Sequence, residues 1–314
     1  MQCGDDHAAQ REESSRSTPA LVSVVIPTRD RAEQLSRTVN VLETQTYPHV
    51  EVIVVDDGSS DHTHQMISEA MRKNPRIRAL RQTTSSGAAG ARNAGASLAR
   101  GEYLLFEDDD CSSNPTKIER LVEALEASPA AAYAYCRVRI RYADGSYAEA
   151  GTDGPWSIST SCALLRRRCF DSVGRFDSSL PRLQDFDLFT RLLQRFETVE
   201  VPEVLFEMTR DESGISSSSE SLLMAGQILL RKYEGEGMPG AHRSAMHRRI
   251  GGQLLLAGFG EMGTAHYRAS VRASKGSVRS WLGFVAALAG PGSYRVALRA
   301  ASRLQSWRSR TRRE

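Results

Sequence analysis

Residues 103–110 of the chain are Tyr-Leu-Leu-Phe-Glu-Asp-Asp-Asp, four apolar residues followed at once by four acids. Short continuous apolar runs are typical of strands that are covered on both faces of a parallel sheet. The acids cannot continue such a buried strand, so they mark its carboxyl end. In open α/β sheets ligands bind at that edge, and carboxylate oxygens suit Mg²⁺ or Mn²⁺. Taken alone, the acids are more typical of a solvated loop, so the rest of the chain must decide.

Other apolar runs end in polar residues in the same way. Residues 21–26 are followed by Pro27, Thr28 and Arg29, and residues 50–55 are followed by Asp56 and Asp57. With residues 77–80 as a further strand, four strands alternate with three helical patterns over about eighty residues. This alternation predicts a doubly wound, mostly parallel sheet. Several polar strand ends at one edge are harder to attribute to solvated loops than any one of them.

Short motifs predict where several helices begin. Asp30 is predicted to cap the helix after the first strand, with Glu33 as its capping-box partner. The small residues at 87–95 are predicted to form a turn that leads into the next helix. Asn114 fits the N-cap of a later helix. Since Asn114 supplies that cap, the acids at 108–110 are not needed for it, which weakens the loop interpretation.

Beyond residue 128 the pattern changes to a hairpin and a series of helices. Asp144-Gly145 is a strong hairpin turn signal between two strand patterns, residues 132–142 and 146–150. A further strand is predicted at 158–165, and a helix is predicted to begin at Gln184. Residues 213–219 are predicted to be a flexible segment. Helical patterns follow at residues 222–233, 242–260, 265–273, 278–289 and 294–311.

Composition limits the class of protein. The chain has 314 residues, of which 40% are hydrophobic and 25% charged, as in ordinary globular proteins. Its five cysteines form no CxxC pair, which favours a reducing compartment. There is no signal-peptide pattern, and no apolar run is long enough to span a membrane. We therefore expect a cytoplasmic protein.

Charge is distributed unevenly along the chain. Residues 248–314 contain thirteen Lys and Arg against two Glu, a balance of +11, so with a net charge of +3 residues 1–247 carry −8. Arg295, Arg299 and Arg303 are spaced by four residues beside an apolar face, as in a helix that lies on an anionic membrane. A solvated helix is the alternative. Nucleic acid is not expected as a partner, because Trp307 is the one aromatic residue among the arginines.

A resemblance joins these segments. The loop after the first strand lacks the GxGxxG fingerprint, and the chain contains no GxxxxGK[ST] loop. In order and spacing, residues 21–30, 50–63, 87–95, 101–110 and 174–192 resemble family 2 glycosyltransferases of the GT-A fold. The resemblance implies an α/β fold with a Rossmann-like, mostly parallel central sheet and a helical C-terminal extension. The predicted regions are a disordered tail (1–19), a catalytic domain (20–212) with nucleotide-binding (20–127) and acceptor (128–212) halves, and a helical C-terminal region with a basic tail (213–314).

The resemblance also implies which residues bind the donor, a nucleoside-diphosphate (NDP) sugar. The base and ribose would lie against Pro27, Thr28, Arg29, Asp56 and Asp57, and the nucleotide would be flanked by Arg92 and Asn93. Asp108-x-Asp110 matches the DxD motif of the family, which implies that Asp110 is the direct ligand of Mg²⁺ or Mn²⁺. Asp108 would lie closer to the ribose while sharing the metal site, and Asp109 would belong to the same donor site.

A second motif of the family concerns the acceptor. Asp185 matches the second residue of a Glu-Asp pair, which implies that Asp185 is the base that takes the proton from the acceptor hydroxyl. Gln184 stands where the family has Glu, a departure that removes one charge. From the residues alone, Asp185 could instead be a helix N-cap. If Gln184 weakens the site, a non-catalytic homologue becomes an alternative.

The sequence thus predicts an inverting, metal-dependent glycosyltransferase. It would move a sugar from an NDP-sugar to a hydroxyl of a sugar, a lipid-linked sugar or a natural product, using Mg²⁺ or Mn²⁺. Its basic C-terminal helix would bring it to the inner face of an anionic membrane. The alternatives are a non-catalytic GT-A-fold binding or scaffold protein and a sugar nucleotidyltransferase. The second is disfavoured, because residues 28–31 are too short and contain no Gly to grip a triphosphate.

Overall fold

The computed structural model describes residues 19–110, 112–142, 145, 147–150, 158–210, 219–233 and 240–297. Nine strands of these residues form one sheet. The strands are β1 (Val22–Thr28), β2 (Val50–Asp56), β3 (Ile77–Arg81), β4 (Tyr103–Phe106), β5 (Ser112–Ser113), β6 (Ala131–Tyr142), β7 (Tyr147–Ala150), β8 (Ala163–Arg166) and β9 (Glu197–Arg210). The helices are α1 (Ala32–Glu43), α2 (Thr63–Lys73), α3 (Gly87–Leu98), α4 (Lys117–Glu126), α5 (Arg167–Ser172), α6 (Gln184–Leu193), α7 (Ser219–Tyr233), α8 (Gly240–Leu256), α9 (Gly260–Ala273) and α10 (Val278–Leu288).

The sheet has the strand order β3-β2-β1-β4-β8-β6-β9-β5, and β7 pairs with β6. The first four strands are parallel to one another, while β8 is antiparallel to both β4 and β6. Apolar side chains on one face pack against α1, α2 and α4, and those on the other face pack against α3, α5 and α6. The predicted doubly wound, mostly parallel sheet is therefore confirmed.

The carboxyl ends of β1, β2 and β4 lie side by side. Thr28 is paired with Asp56 in the β1–β2 register, and Val25 is paired with Phe106 in the β1–β4 register. Each chain segment leaves its strand at the same edge of the sheet. As a result, residues that are about thirty or eighty positions apart in sequence become neighbours there.

The predicted capping box at the start of α1 is wrong. The helix begins at Ala32, and Asp30 adopts a left-handed backbone with φ of 52°. The Asp30 carboxylate instead accepts hydrogen bonds from the backbone N–H groups of Ser60, at 2.7 Å, and Asp61, at 3.3 Å. Asp30 thus ties the loop after β1 to the loop after β2.

Two other helix starts also differ from the predictions. The small residues at 87–95 are part of α3 itself. They let the helix pack closely on the sheet, since a Cβ at Gly95 would overlap Val25. Asn114 lies three positions before the first residue of α4, and its side-chain oxygen accepts from the Thr116 backbone N–H at 3.0 Å. It forms a turn before the helix rather than its cap.

The acceptor side contains one large element that the sequence pattern missed. Strand β9 pairs with β6 over its length and with the short β5. Its sequence places Pro202 and several Glu among apolar residues, which obscures the alternation of a strand. The predicted hairpin is confirmed in the pairing of β6 with β7. The predicted strand at 158–165 begins only at Ala163, after a 3₁₀ turn at Thr160–Cys162.

The C-terminal helices pack onto the sheet through α6. Leu183 and Phe186 share a core with Leu222, Leu229 and Ile250 of α7 and α8. Across the described ranges, no helix is both long and apolar enough to cross a membrane. Predictions for residues 1–18, Asp144, 213–218 and the basic residues from 298 onward lie outside the described residues.

Candidate active site

The acidic run contains one residue with a structural role. Glu107 is buried and accepts two hydrogen bonds from the Lys117 ammonium, at 2.7 and 2.9 Å, and one from the Ser113 hydroxyl. Lys117 is itself fully buried and also donates to the Ser161 carbonyl at 3.0 Å. Burial raises the pKa of Glu107, and Lys117 opposes that rise. This ion pair locks the end of β4 to the start of α4.

Asp109 and Asp110 share one arginine. The Arg31 guanidinium Nη1 lies 2.9 Å from Asp109 Oδ1 and 3.0 Å from Asp110 Oδ2. Asp109 is buried and also accepts from the Thr28 hydroxyl at 2.8 Å, whereas 58% of the Asp110 side chain is exposed. Burial raises the pKa of Asp109, against the hydrogen bonds from Thr28 and Arg31. Asp110 is therefore open to solvent at the sheet edge, while Asp109 positions the loop.

Asp108 belongs to a second network, which runs toward α6. Arg92 Nη2 donates to Asp108 Oδ1 at 2.6 Å, and Arg92 Nη1 lies 3.4 Å from the Gln184 side-chain oxygen. The Arg92 guanidinium lies over the Phe176 ring at 5.7 Å, and the Ser161 hydroxyl contacts Asp108 Oδ2 at 3.2 Å. Gln184 keeps a hydrogen-bond acceptor where the family pattern has a carboxylate. The substitution thus retains a contact to Arg92.

Asp56 and Asp57 play different parts at the end of β2. Asp57 accepts from the Ser85 hydroxyl at 2.6 Å and from the backbone N–H groups of Ser86 at 2.7 Å and Gly87 at 3.0 Å. It therefore holds the start of α3. Asp56 Oδ1 accepts from the Ser59 N–H at 2.8 Å. Its buried Oδ2 has no hydrogen-bond donor among the described residues, with Arg81 Nε 3.5 Å away.

The other residues predicted to contact the nucleotide lie near this edge. Asn93 exchanges two hydrogen bonds with the Phe176 backbone, donating to its carbonyl at 2.9 Å and accepting from its N–H at 3.1 Å. These bonds fix α3 to the turn before α6. Arg29 is exposed beside Asp30, and Pro27 is half-buried. Arg29 is thus open to solvent, whereas the side-chain amide of Asn93 already forms hydrogen bonds with the Phe176 backbone.

Asp185 lies in the first turn of α6, and the alternative that it caps this helix is wrong, because the N-cap position is Leu183. Its Oδ1 accepts from the Phe186 N–H at 2.7 Å, and its Oδ2 lies 3.1 Å from Arg249 Nη2 of α8. The side chain is 23% exposed. A charged partner from the C-terminal helices therefore reaches the residue predicted to be the base.

Asp187, two residues further on, has no exposed surface and serves the fold. It accepts from Arg191 at 2.6 Å and from the Tyr233 hydroxyl at 2.7 Å, and it lies 2.9 Å from the Lys232 ammonium. Lys232 also bonds Asp177 at 2.7 Å. These contacts attach α7 to α6 and to the turn that precedes it.

Comparison with known proteins agrees with this geometry. The profile described as "Glycosyl transferase family 2" matches residues 23–189, which is more than half of the chain. The chain belongs to glycosyl transferase family 2. The matched residues run from β1 to within α6 and include the whole sheet edge described above. The family therefore covers the candidate site, while the helices from Ser219 onward lie outside the match.

Solved structures resemble the chain in fold. S. aureus TarS 1-349 in complex with UDP-GlcNAc matches with a TM-score of 0.60 and 17% identity over 91% of this chain and 92% of that one. The mannosyltransferase PcManGT from Pyrobaculum calidifontis, in complex with GDP-Man and Mn²⁺, matches with a TM-score of 0.59 and 19% identity over 96% and 93%. The predicted GT-A fold with C-terminal helices is thus confirmed.

Curated relatives share only part of their length with the chain. The Escherichia coli protein named UDP-Glc:alpha-D-GlcNAc-diphosphoundecaprenol beta-1,3-glucosyltransferase WfaP is 35% identical over 106 residues, 34% of this chain and 41% of that protein. The match covers 62% of an uncharacterized glycosyltransferase from Haemophilus influenzae, 36% of glycosyltransferase GlyG from Streptococcus pneumoniae and 42% of the uncharacterized glycosyltransferase alr2836 from Nostoc sp.. The chain thus spans less than two thirds of the length of these relatives.

The acidic edge fits a divalent cation only in part. Asp108 and Asp110 supply hard oxygen atoms at an open edge. No group of three or more His, Cys, Asp or Glu side chains with metal-binding placement occurs in the described part of the chain. Mg²⁺ is commonly held by one or two carboxylates together with substrate phosphates. The residues therefore suit a cation whose remaining ligands come from a diphosphate.

Sequence reasoning missed Arg31, Ser161, Arg249 and Lys117. Arg31 adjoins a polar loop and lies 78 positions from Asp109, so no local pattern links the two. Arg249 lies 64 positions from Asp185. The burial of Lys117 was indicated only by its position as the first residue of α4, on the apolar face of that helix.

Proposed function

We propose that the chain is a metal-dependent, inverting glycosyltransferase that moves a sugar from an NDP-sugar to a hydroxyl of a polysaccharide or a glycolipid. One observation supports this most strongly. Arg92 contacts both Asp108 of the DxD motif and Gln184, the neighbour of Asp185. The chain of contacts connects the proposed donor site with the proposed base, as a transfer between two substrates requires.

The donor would bind across the carboxyl ends of β1, β2 and β4. Asp56 Oδ2, which accepts no hydrogen bond from the described residues, suits a donor N–H group of a base or a ribose hydroxyl. Because Asp56 is only 1% exposed, Arg81 must move aside to admit that contact. Arg92 carries the positive charge that a diphosphate needs. Thr28 and Asp109 hold the loop against which the nucleotide lies.

Asp108 and Asp110 would hold the cation, Mg²⁺ or Mn²⁺. When bound, that cation offsets the negative charge that develops on the departing nucleotide, which is Lewis-acid catalysis. Arg31 must release Asp110 for this to happen, because its guanidinium occupies the same carboxylate. Asp109, buried and bonded to Thr28, stays in place and keeps the loop in register.

Asp185 would act as the base. It takes the proton of the acceptor hydroxyl while that oxygen attacks the anomeric carbon from the face opposite the leaving group. The new C–O bond forms as the bond from the anomeric carbon to the NDP oxygen breaks, which inverts the anomeric carbon. Its bond to its own helix N–H fixes Oδ1, so Oδ2 is the atom that turns to the acceptor. Arg249 is then displaced from Oδ2 or shared with an acceptor oxygen.

A second candidate is a non-catalytic binding protein that kept the fold. Arg249 neutralises Asp185 and Gln184 has lost the charge of the family pattern, and both facts favour binding without transfer.

The basic C-terminal residues are further proposed to bring the chain to the inner face of an anionic membrane, as their balance of +11 over residues 248–314 suggests.

The proposal is tested by release of NDP from a panel of UDP-, GDP- and dTDP-sugars with Mn²⁺, with Mg²⁺ or with EDTA. We expect release from at least one donor, abolished by EDTA and by Asp110→Ala. Glu69→Gln, which changes an exposed acid on α2, is the control and should leave release intact. A donor that binds in the presence of Mn²⁺ without NDP release, even with acceptor extracts added, would favour the non-catalytic candidate.

A further inference from the structure

Helix α10 places its largest apolar side chains in solvent. Five residues are 48% to 69% exposed, and they form what we call the α10 ridge: Val278, Trp281, Leu282, Val285 and Leu288. Their spacing of three and four residues puts them on one side of the helix. Single exposed apolar residues are ordinary on protein surfaces, but a row of five on one helix marks an interaction surface.

The opposite side of α10 fixes the direction of the ridge. Gly283 lies so close to the Tyr267 ring that a Cβ there would overlap it. The buried Ser280 hydroxyl lies 2.9 Å from the Ser244 hydroxyl and 2.8 Å from that of Ser270. Large residues could not fit on this side. The helix cannot rotate the ridge inward without breaking these contacts, so the exposure is built into the packing.

Positive charge is concentrated in the segment that contains the ridge. Between residues 260 and 297 there are five Arg or Lys and one Glu, a balance of 5 − 1 = +4. Each of the five cations is exposed: Arg268, Arg272, Lys275, Arg279 and Arg295. The Arg268 guanidinium lies 6.0 Å from the Phe284 ring centre, and Trp281 Nε1 donates to the Lys275 carbonyl at 3.0 Å. The apolar row thus has basic residues of α9, of the α9–α10 turn and of α10 itself along its border.

We propose that the α10 ridge inserts into the interface of an anionic membrane. An apolar helix face with basic residues beside it binds anionic lipid by burying the apolar side chains while the cations meet the headgroups. Trp281 has the amphipathic ring that favours the headgroup level. A second copy of the chain is a poorer occupant, because two basic borders would be brought together.

The inference deepens the membrane contact proposed above and rests on it, but it does not depend on the transfer chemistry. It assigns the contact to apolar side chains of α10 rather than to the basic tail alone. The ridge and the tail can therefore be separated by experiment, and so can membrane binding and donor hydrolysis.

The test uses sedimentation of the full chain with vesicles of equal parts phosphatidylglycerol and phosphatidylcholine, and with phosphatidylcholine alone. We expect binding to the anionic vesicles, weakened about tenfold by Leu282→Gln with Val285→Gln, because two exposed apolar side chains leave the lipid. The control Met71→Gln with Met224→Gln removes two exposed apolar side chains elsewhere and should not change binding. Thermal unfolding verifies that the variants fold, and NDP release in solution should be unchanged.

Truncation before residue 298 separates the ridge from the tail. We expect the shortened chain to bind anionic vesicles more weakly than the full chain. The remaining binding should be lost when Leu282→Gln and Val285→Gln are introduced into the shortened chain. In a chain whose other tryptophans are changed by Trp156→Phe and Trp307→Phe, brominated lipid should quench Trp281. Unaltered vesicle binding of the ridge variant overturns the proposal. The proposal is also overturned if the parent chain binds no vesicles and the ridge substitutions convert a dimer into a monomer.

Discussion

Glu107 and Lys117 lie wholly inside the sheet half of the molecule, whereas the α10 ridge keeps five large apolar side chains in solvent. In the first region, charge is buried because each charged group has a partner, as Lys117 does for Glu107. In the second, small residues fill the helix interface and the large ones are turned outward. The family match ends within the first region. The sheet half thus holds the residues that the family match covers, while the C-terminal helices present the apolar surface that we propose to contact a membrane.

The buried ion pair gives the largest expected effect. Lys117→Met leaves Glu107 without its partner in a fully buried place, so the chain should lose about 3–5 kcal/mol of unfolding free energy. Denaturant unfolding of the full chain measures the loss. Exposed Lys73→Met on α2 is the control and should change stability by less than about 0.5 kcal/mol.

The double change Glu107→Leu with Lys117→Met sharpens the point. Removing both charges should recover much of the stability lost in Lys117→Met, because no buried charge is left unpaired. A loss below about 1 kcal/mol for Lys117→Met alone would show that water reaches Glu107, contrary to the burial described.

Acid should loosen the C-terminal helices before the sheet. His247 of α8 and His266 of α9 face each other with their Nδ1 atoms 3.1 Å apart. Burial, together with His266 and Arg243, lowers the pKa of His247 to about 4, and burial lowers the pKa of His266. The lowered pKa of a buried neutral His adds stability above its ordinary value of 6.5, and this is lost as pH falls toward 4.

Hydrogen exchange by region at pH 7 and pH 5 measures this difference. We expect faster exchange at pH 5 in α8 and α9 than in β1 and β4, after correction for the intrinsic rate. His247→Asn should reduce the difference between the two pH values. Equal loss of protection across both regions would contradict the assignment to this pair.

The smallest expected effect concerns the metal. Arg31 bonds Asp110, so Arg31→Gln removes a competitor of the cation and should strengthen Mn²⁺ binding by about fivefold, the scale of one partly exposed ion pair. Titration calorimetry with Mn²⁺ alone measures it. Arg29→Gln changes a neighbouring arginine that does not contact Asp110 and is the control. Weaker Mn²⁺ binding in Arg31→Gln would mean that Arg31 supports the site instead.

Strands β1, β2 and β4 could be predicted because they are nearly continuous apolar runs that end in polar or acidic residues. Strand β9 could not, since its pairing with β6 does not depend on an apolar pattern of its own. Residues 278–289 were predictable as a helix, but not the direction of its apolar row. That direction depends on the fit of Gly283 against Tyr267, a contact between distant positions.

The candidate site shows the same limit. The apolar runs predicted that the acids lie at the carboxyl ends of strands. The structure brings several of the predicted residues to one edge of the sheet: Thr28, Arg92, Asp108, Asp109 and Asp110. Which acid is buried was not predictable, because it depends on Arg31 and Thr28 rather than on the DxD spacing. The metal-ligand roles of Asp108 and Asp110 and the base role of Asp185 stay predictions.

The central claim is that Asp185 takes the proton of the acceptor while Asp108 and Asp110 serve the donor. The most direct measurement compares Asp185→Asn with the parent chain, using a donor that releases NDP and its matching acceptor. We predict that Asp185→Asn binds the donor with unchanged affinity in the presence of Mn²⁺. Its transfer rate should be about 10²–10⁴-fold lower than that of the parent chain, which is the range for loss of a positioned base. Transfer at the parental rate by Asp185→Asn would contradict the account.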